Sequence, residues 1–117
     1  MRYDTHGEFD DPGAWRIQDV SDTGGLNTRD YDGAVFNGRH VYFAPLSYGA
    51  PLRYDTEAEF QDRSAWEAYD AGLAHSFQGL AFDGRWLYFC PGYTTSPERD
   101  PDDPGASLDS EPSGQML

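Results

Sequence analysis

The stretch Gly33-Ala34-Val35-Phe36-Asn37-Gly38-Arg39-His40-Val41-Tyr42-Phe43-Ala44-Pro45 recurs as Gly79-Leu80-Ala81-Phe82-Asp83-Gly84-Arg85-Trp86-Leu87-Tyr88-Phe89-Cys90-Pro91. In each copy two apolar runs flank a turn dipeptide. Asn37-Gly38 best tolerates the two positive φ angles of a type I′ turn, and Asp83-Gly84 does the same job. The stretch therefore predicts a β-hairpin, twice. A chain that repeats a hairpin is built from recurring sheet units, and that narrows the folds open to it more than any other feature.

A second segment also repeats. Arg2-Tyr3-Asp4-Thr5, Glu8-Phe9, Asp11, Ala14-Trp15 and Asp19 return as Arg53-Tyr54-Asp55-Thr56, Glu59-Phe60, Asp62, Ala65-Trp66 and Asp70. The two repeats run at different offsets. The difference falls in the loop between Val20 and Asp30 in one copy, and between Ala71 and Ser76 in the other. Loops absorb length changes cheaply.

A full unit of roughly 45–50 residues carries four strand candidates: Ala34–Phe36, His40–Ala44, Leu52–Asp55 and Trp66–Tyr69. A period near 40–50 with four strands per unit is the signature of a β-propeller blade. Val41 and Phe43 share one face of their strand, and His40, Tyr42 and Ala44 the other. Neither face is plainly polar, as expected for a sheet sandwiched between neighbours.

The combination of a (D/N)GR-x-(V/L)YF-x-P hairpin, the RYDT strand and the spaced F…W pair resembles the blades of a family of uncharacterised bacterial and archaeal β-propeller repeat proteins. The resemblance covers about residues 1–97. It implies an all-β fold of propeller-like blades, each of four antiparallel strands, and it implies no particular activity. This chain holds about two blades' worth of repeat: an outer half, one complete unit and an inner half. Closed propellers use about four to eight blades. Repeat units need neighbours to bury a continuous core. Self-association is therefore expected, with half-blades of different copies completing one another. The other routes are further blades in a longer protein, since Met1 stands where Leu52 stands in the second copy, and a small open sheet stack.

Residues 98–117 are acidic, rich in Pro, Ser and Gly, and almost free of core residues, and they read as a disordered tail. At 117 residues the chain has room for one domain.

Charge excludes several function classes. The net charge is −13, from Asp+Glu 21 against Lys+Arg 8, and all of the basic residues are Arg. Nucleic acid and anionic membrane surfaces would be repelled. Cations, basic partners and neutral sugars are permitted. An acidic surface without lysine also suits a halophilic protein, kept soluble in concentrated salt by carboxylates, although GC-rich coding produces the same bias. No signal peptide and no membrane-spanning run is evident, which points to the cytoplasm.

The polar residues that recur are read as structural. Asp4/Asp55, Thr5/Thr56 and Arg39/Arg85 occur at matching places, where Asp and Thr after a strand bond nearby amides and an Asp–Arg pair ties the sheet. Cys90 stands where the other copy has Ala44, so a buried, unreactive thiol is expected. His6, His40 and His75 lack zinc-ligand spacing, and no Asp-rich calcium loop surrounds Asp30 and Asp32. No metal and no cofactor is expected.

The non-repeated polar residues are the better functional candidates. Propellers bind ligands on the face formed by the loops that enter the innermost strand and leave the second. Here those loops are 21–32, 45–51, 71–78 and 91–97. They hold Arg29, Asp30, Tyr31, Tyr48, His75 and Tyr93. Tyr beside Asp and Arg suits a sugar, because the ring stacks and the charges bond hydroxyls. The expectation is a non-enzymatic module that binds a carbohydrate or protein ligand, or scaffolds. No G-x-S-x-G elbow, phosphate-cradling loop or Cys/His pair is present. A glycosidase or lyase using Asp30 or Asp32 with His75 is the alternative.

Overall fold

The computed structural model describes residues 1–72 and 76–92. His75, Tyr93 and the acidic segment 98–117 lie outside the described residues.

The fold is all-β. Strands β1 (Arg2–Tyr3) and β2 (Trp15–Arg16) form an antiparallel ribbon in which Arg2 faces Arg16 and Tyr3 faces Trp15. Strands β3 (Tyr31–Phe36), β4 (His40–Pro45), β5 (Leu52–Asp55) and β6 (Trp66–Ala68) form a four-stranded antiparallel sheet in sequence order. Strands β7 (Phe77–Phe82) and β8 (Leu87–Pro91) form a second hairpin. None of the sheets is closed. The only helical pieces among the described residues are single 3-10 turns at Pro12–Ala14, Thr23–Gly25 and Arg63–Ala65.

Both hairpins form where expected, but the turn differs from the type I′ reading. Asn37 does not take a positive φ; Gly38 does, at 106°, and Gly84 matches it at 104°. The loop closes between Asn37 and His40, whose carbonyl accepts from the Asn37 amide at 3.1 Å. Glycine thus holds the first central position, as in type II′ turns. The physical reason is the Asn37 side chain. Its Oδ1 accepts from the amides of Arg39 (3.0 Å) and His40 (2.8 Å), which ties Asn37 into the strand end instead of the turn apex. Asp83 repeats this with the amides of Arg85 (2.9 Å) and Trp86 (2.7 Å).

A bulge recurs as well. The β3–β4 register shifts between Tyr31 and Ala34, and the β7–β8 register between Phe77 and Leu80. Gly33 (φ 93°) and Gly79 (φ 85°) supply the left-handed residues. The missing side chain of Gly33 also points at Gly79. A Cβ on Gly33 would lie 3.5 Å from the Gly79 Cα, so the two hairpins approach backbone to backbone.

The central sheet packs on both faces by alternation, the first more fully than the second. On one face Leu52, Tyr54, Phe60, Ala65 and Trp66 form a buried cluster, joined by Val20, Tyr31, Val41 and Phe43. Tyr54 and Trp66 stack with centroids 4.8 Å apart, and Phe60 meets both edge-on. The Trp66 Nε1 donates to the Phe60 carbonyl at 2.9 Å, so the indole is buried without an orphaned donor. On the other face Ala44 packs against Phe77 and Phe89 of the second hairpin.

The β1–β2 ribbon repeats the local architecture of β5–β6. Tyr3, Phe9 and Trp15 form the same aromatic triad, and the Trp15 Nε1 donates to the Phe9 carbonyl at 2.9 Å. Asp11 and Asp62 each cap a 3-10 turn through the amide two residues on. The cover differs. Phe60 is 5% exposed, and Phe9 is 72% exposed. The ribbon lies on the Tyr54 face of the central sheet, with the Arg2 guanidinium 4.7 Å above the Phe60 ring and Gln61 donating to the Ile17 carbonyl at 3.1 Å.

Cys90 departs from its expected burial. It is exposed. Its counterpart Ala44 is covered by the hairpin that follows it, whereas no described element lies on the Cys90 face.

Candidate functional site

The loop end of the central sheet is knit by its backbone. The segment 21–32 enters β3 and the segment 45–51 leaves β4. The Leu46 amide donates to the Asp30 carbonyl at 2.9 Å, and the Ala50 amide to the Asn27 carbonyl at 2.8 Å. Asn27 adds a side-chain bond to the Ser47 carbonyl at 3.2 Å. The contact is close enough to require glycine at position 49, where a Cβ would sit 2.9 Å from the Asn27 carbonyl oxygen. Beneath it Thr28 is fully buried, donating to the Val20 carbonyl and accepting from the Thr23 amide at 3.0 Å.

This scaffold brings four of the six candidate residues to one end, in two different roles. Tyr31 turns inward. Its hydroxyl donates to the Ala50 carbonyl at 2.8 Å, and burial pushes its ionisation above the ordinary tyrosine range. It therefore works as a strut between the two loops. Arg29, Asp30 and Tyr48 are exposed. Arg29 pairs with Asp22 at 3.3 Å, with both side chains in solvent, which is a weak contact. The Asp30 backbone holds the Leu46 amide, and its carboxylate faces outward.

Tyr48 is the unusual residue here. It is 41% exposed and sits at φ 53°, in the left-handed region that a bulky side chain seldom adopts. The bonds of Leu46 and Ala50 to the neighbouring loop hold it there. The remaining candidates, His75 and Tyr93, belong to the undescribed segments.

The recurring polar residues tie the opposite end. Arg39 donates from Nε and Nη2 to the two Asp55 oxygens at 3.2 and 2.9 Å, and the Thr56 amide donates to the Arg39 carbonyl at 3.0 Å. The Arg39 guanidinium and the Glu57 amide hold the Asp55 carboxyl down to about 2. The matching pair is not made within the chain. Asp4 accepts from the His6 amide at 2.9 Å, just as Asp55 accepts from the Glu57 amide at 3.0 Å. Arg85 lies over the Trp86 ring at 5.0 Å and has no carboxylate partner among the described residues.

A cavity of about 690 Å³ separates β5–β6 from β8. Tyr42, Arg53, Glu67 and Tyr69 line one wall, and Trp86, Leu87 and Phe89 the other. Arg53 pairs with Glu67 at 2.6 Å on the first wall. Sequence reasoning missed this cavity. Its only local signal is that the Arg-Tyr-Asp-Thr and F…W sequence of β5–β6 follows the first hairpin and does not recur after the second. Among the described residues no three His, Cys, Asp or Glu side chains converge as metal ligands would. Among the described residues no helix is long and apolar enough to cross a membrane. Compared with known proteins, the chain matches no family model, no curated protein and no solved structure.

Proposed function

We propose that this chain is a non-enzymatic binding or scaffolding module of the β-propeller kind. The four-stranded sheet β3–β6 is one blade, the β1–β2 ribbon the outer half of the blade before it, and the β7–β8 hairpin the inner half of the blade after it. The module closes by self-association or through further blades, and it meets its ligand at the end that carries Arg29, Asp30 and Tyr48.

The observation that carries this reading is Tyr48. A left-handed backbone at an exposed aromatic stores about 1–3 kcal/mol, and such strain clusters at sites that hold ligands. Here it projects a ring from a loop that four interloop hydrogen bonds and a required glycine keep rigid. A rigid, exposed tyrosine at the end of the sheet that also carries a carboxylate and a guanidinium suits a neutral, hydroxyl-rich ligand: the ring stacks and the charged groups bond hydroxyls. The net charge of −13 disfavours polyanions and fits a protein of salty surroundings.

The test is a titration of neutral oligosaccharides against the wild-type chain and against Tyr48→Ala and Asp30→Asn/Asp32→Asn variants. A binding module loses at least tenfold in affinity with Tyr48→Ala and keeps its oligosaccharide intact. Release of reducing ends that stops in the Asp30→Asn/Asp32→Asn variant makes the chain a carbohydrate-active enzyme instead. No binding by any chain removes the carbohydrate reading.

A further inference from the structure

We propose that the free edge of β8 and the cavity beside it are the docking site for the β1–β2 ribbon of a second copy of this chain. The proposal rests on the blade reading above and specifies how the blades close.

The occupant is identified by internal repetition. In the central sheet β4 continues into β5 with Val41 opposite Tyr54, Tyr42 opposite Arg53 and Phe43 opposite Leu52. Strand β8 is the counterpart of β4, and its second edge is unpaired among the described residues. The counterpart of β5 is β1, which also has one free edge and carries the same Arg-Tyr-Asp-Thr sequence. Transposed by the repeat, Leu87 pairs with Tyr3 of the second copy, and Tyr88 with Arg2 of the second copy. A strand with a free edge accepts such an addition through its backbone groups.

The chain cannot make this joint with its own ribbon, which already lies on the opposite face of the central sheet, against Phe60.

Three side-chain observations agree. Arg85 lacks a carboxylate where Arg39 has Asp55, and Asp4 of the second copy, already held by its His6 amide, stands at the matching place. Phe9 is 72% exposed where its counterpart Phe60 is buried. The joint between ribbon and sheet within the chain sets Arg2 over Phe60; its transposed form sets Arg53, in the cavity, over Phe9 of the second copy. The transposition also weakens one set of contacts. Gln61 and Arg63, which donate to the Ile17 and Ser21 carbonyls, are replaced by Asp10 and Pro12, which have no side-chain donor to give. The joint between copies is therefore looser than the one within a chain, and assembly is reversible and concentration-dependent. Two blades per copy and about four to eight blades per ring give a ring of about two to four copies.

The experiment combines native mass by light scattering with a disulfide trap in the full chain. In a Cys90→Ala background, Arg2→Cys with Tyr88→Cys places the two thiols opposite each other across the proposed joint. Arg2→Cys with Ala81→Cys places the second thiol one strand further away, about 10 Å, beyond disulfide reach. Arg2, Ala81, Tyr88 and Cys90 are all solvent-exposed in the single chain, so folding is preserved. The expected result is a discrete oligomer of wild-type chain. Mild oxidation should convert at least half of the Arg2→Cys/Tyr88→Cys chain into linked multimers, at least tenfold more than the Ala81→Cys control. A wild-type chain that stays monomeric or unfolded at all concentrations and salts overturns the proposal. So does an oligomer in which the two trap variants link equally or not at all, because another segment or partner then occupies the β8 edge. Neither readout involves a ligand, so a failure of the Tyr48 reading leaves this result intact, and the reverse.

Discussion

Ala44 and Cys90 hold the same place in successive hairpins, yet Ala44 is 0% exposed while Cys90 lies open to solvent. The difference lies in the neighbour. Phe77 and Phe89 cover Ala44; in the proposed ring the corresponding cover for Cys90 would be Tyr31 and Phe43 of the second copy. Cys90 thus reports on assembly. In dilute chain a thiol reagent should modify it at the rate of an exposed cysteine. At concentrations where the oligomer forms, labelling followed by mass spectrometry should slow at least tenfold. Labelling that ignores concentration would show that the Cys90 face stays open.

The paired phenylalanines make a second prediction. Phe60 is packed among Tyr54, Trp66 and the Arg2 guanidinium, so Phe60→Ala should cost about 3–5 kcal/mol of folding stability. Phe9 is the same residue in the same local triad but stands mostly in water. Phe9→Ala should change the urea midpoint of the monomer little and weaken the oligomer strongly. Equal effects on folding would mean that the two triads are covered alike.

Gly38 and Gly84 carry φ angles of 106° and 104° at the hairpin turns. Valine resists that region, and each Gly→Val substitution should cost about 1–3 kcal/mol. Asn37→Ala tests the revised turn. It leaves the amides of Arg39 and His40 without Oδ1, a loss of ~1 kcal/mol per bond. In a type I′ turn built on the asparagine backbone the same change would matter mainly through φ. Urea midpoints of the three variants separate these cases.

Much of this architecture was legible because it is local. Both hairpins fell at the Asn-Gly and Asp-Gly dipeptides, and β5 covers Leu52–Asp55 as expected. The strands β3 and β4 only extend the expected cores, by the bulge around Gly33 and by Pro45. The turn type was misread because one side-chain oxygen decided it. Cys90 was misread because burial depends on what packs from outside the strand, and strand alternation is silent on that. The loop end was partly legible. Arg29, Asp30 and Tyr48 could be picked as non-repeated polar residues, but Asn27 and Gly49, which hold the loops together, gain their roles only from contacts about 20 residues away in sequence.

Acid should act on the central sheet through Asp55. Its carboxyl is lowered from 3.8 to about 2, first by the Arg39 bond and then by the Glu57 amide. A depressed carboxyl contributes stability that is fully present above the unfolded value and is lost as pH falls through the folded one. The loss should therefore run from about pH 4 down to about pH 2. Falling pH also relieves the repulsion of a chain at −13, which works in the opposite direction. Asp55→Asn separates the two effects. The variant should be less stable than wild type at pH 6, and the gap should shrink from about pH 4 to a small remnant at about pH 2. A gap at pH 2 as large as that at pH 6 would mean that the pair contributes nothing titratable.

The same charge governs assembly. Each copy would bring −13 to the proposed ring, and the proposed joint places Asp4 and Asp10 of one copy beside a chain that is itself acidic. The attraction at the joint comes from rings and one Arg–Asp pair, which act at contact distance, whereas the repulsion is long-ranged. Salt shortens that range from about 10 Å at 0.1 M to about 3 Å at 1 M. Salt should then favour the oligomer, although it weakens the Arg85–Asp4 pair, because one exposed pair is worth at most about 1 kcal/mol. The check is sedimentation of the wild-type chain at 0.1 M and 2 M potassium chloride, beside an Arg85→Ala variant. The oligomer should grow with salt in both, with the variant shifted to a higher threshold. Dissociation on adding salt would make ion pairs, not apolar contact, the force that joins the copies.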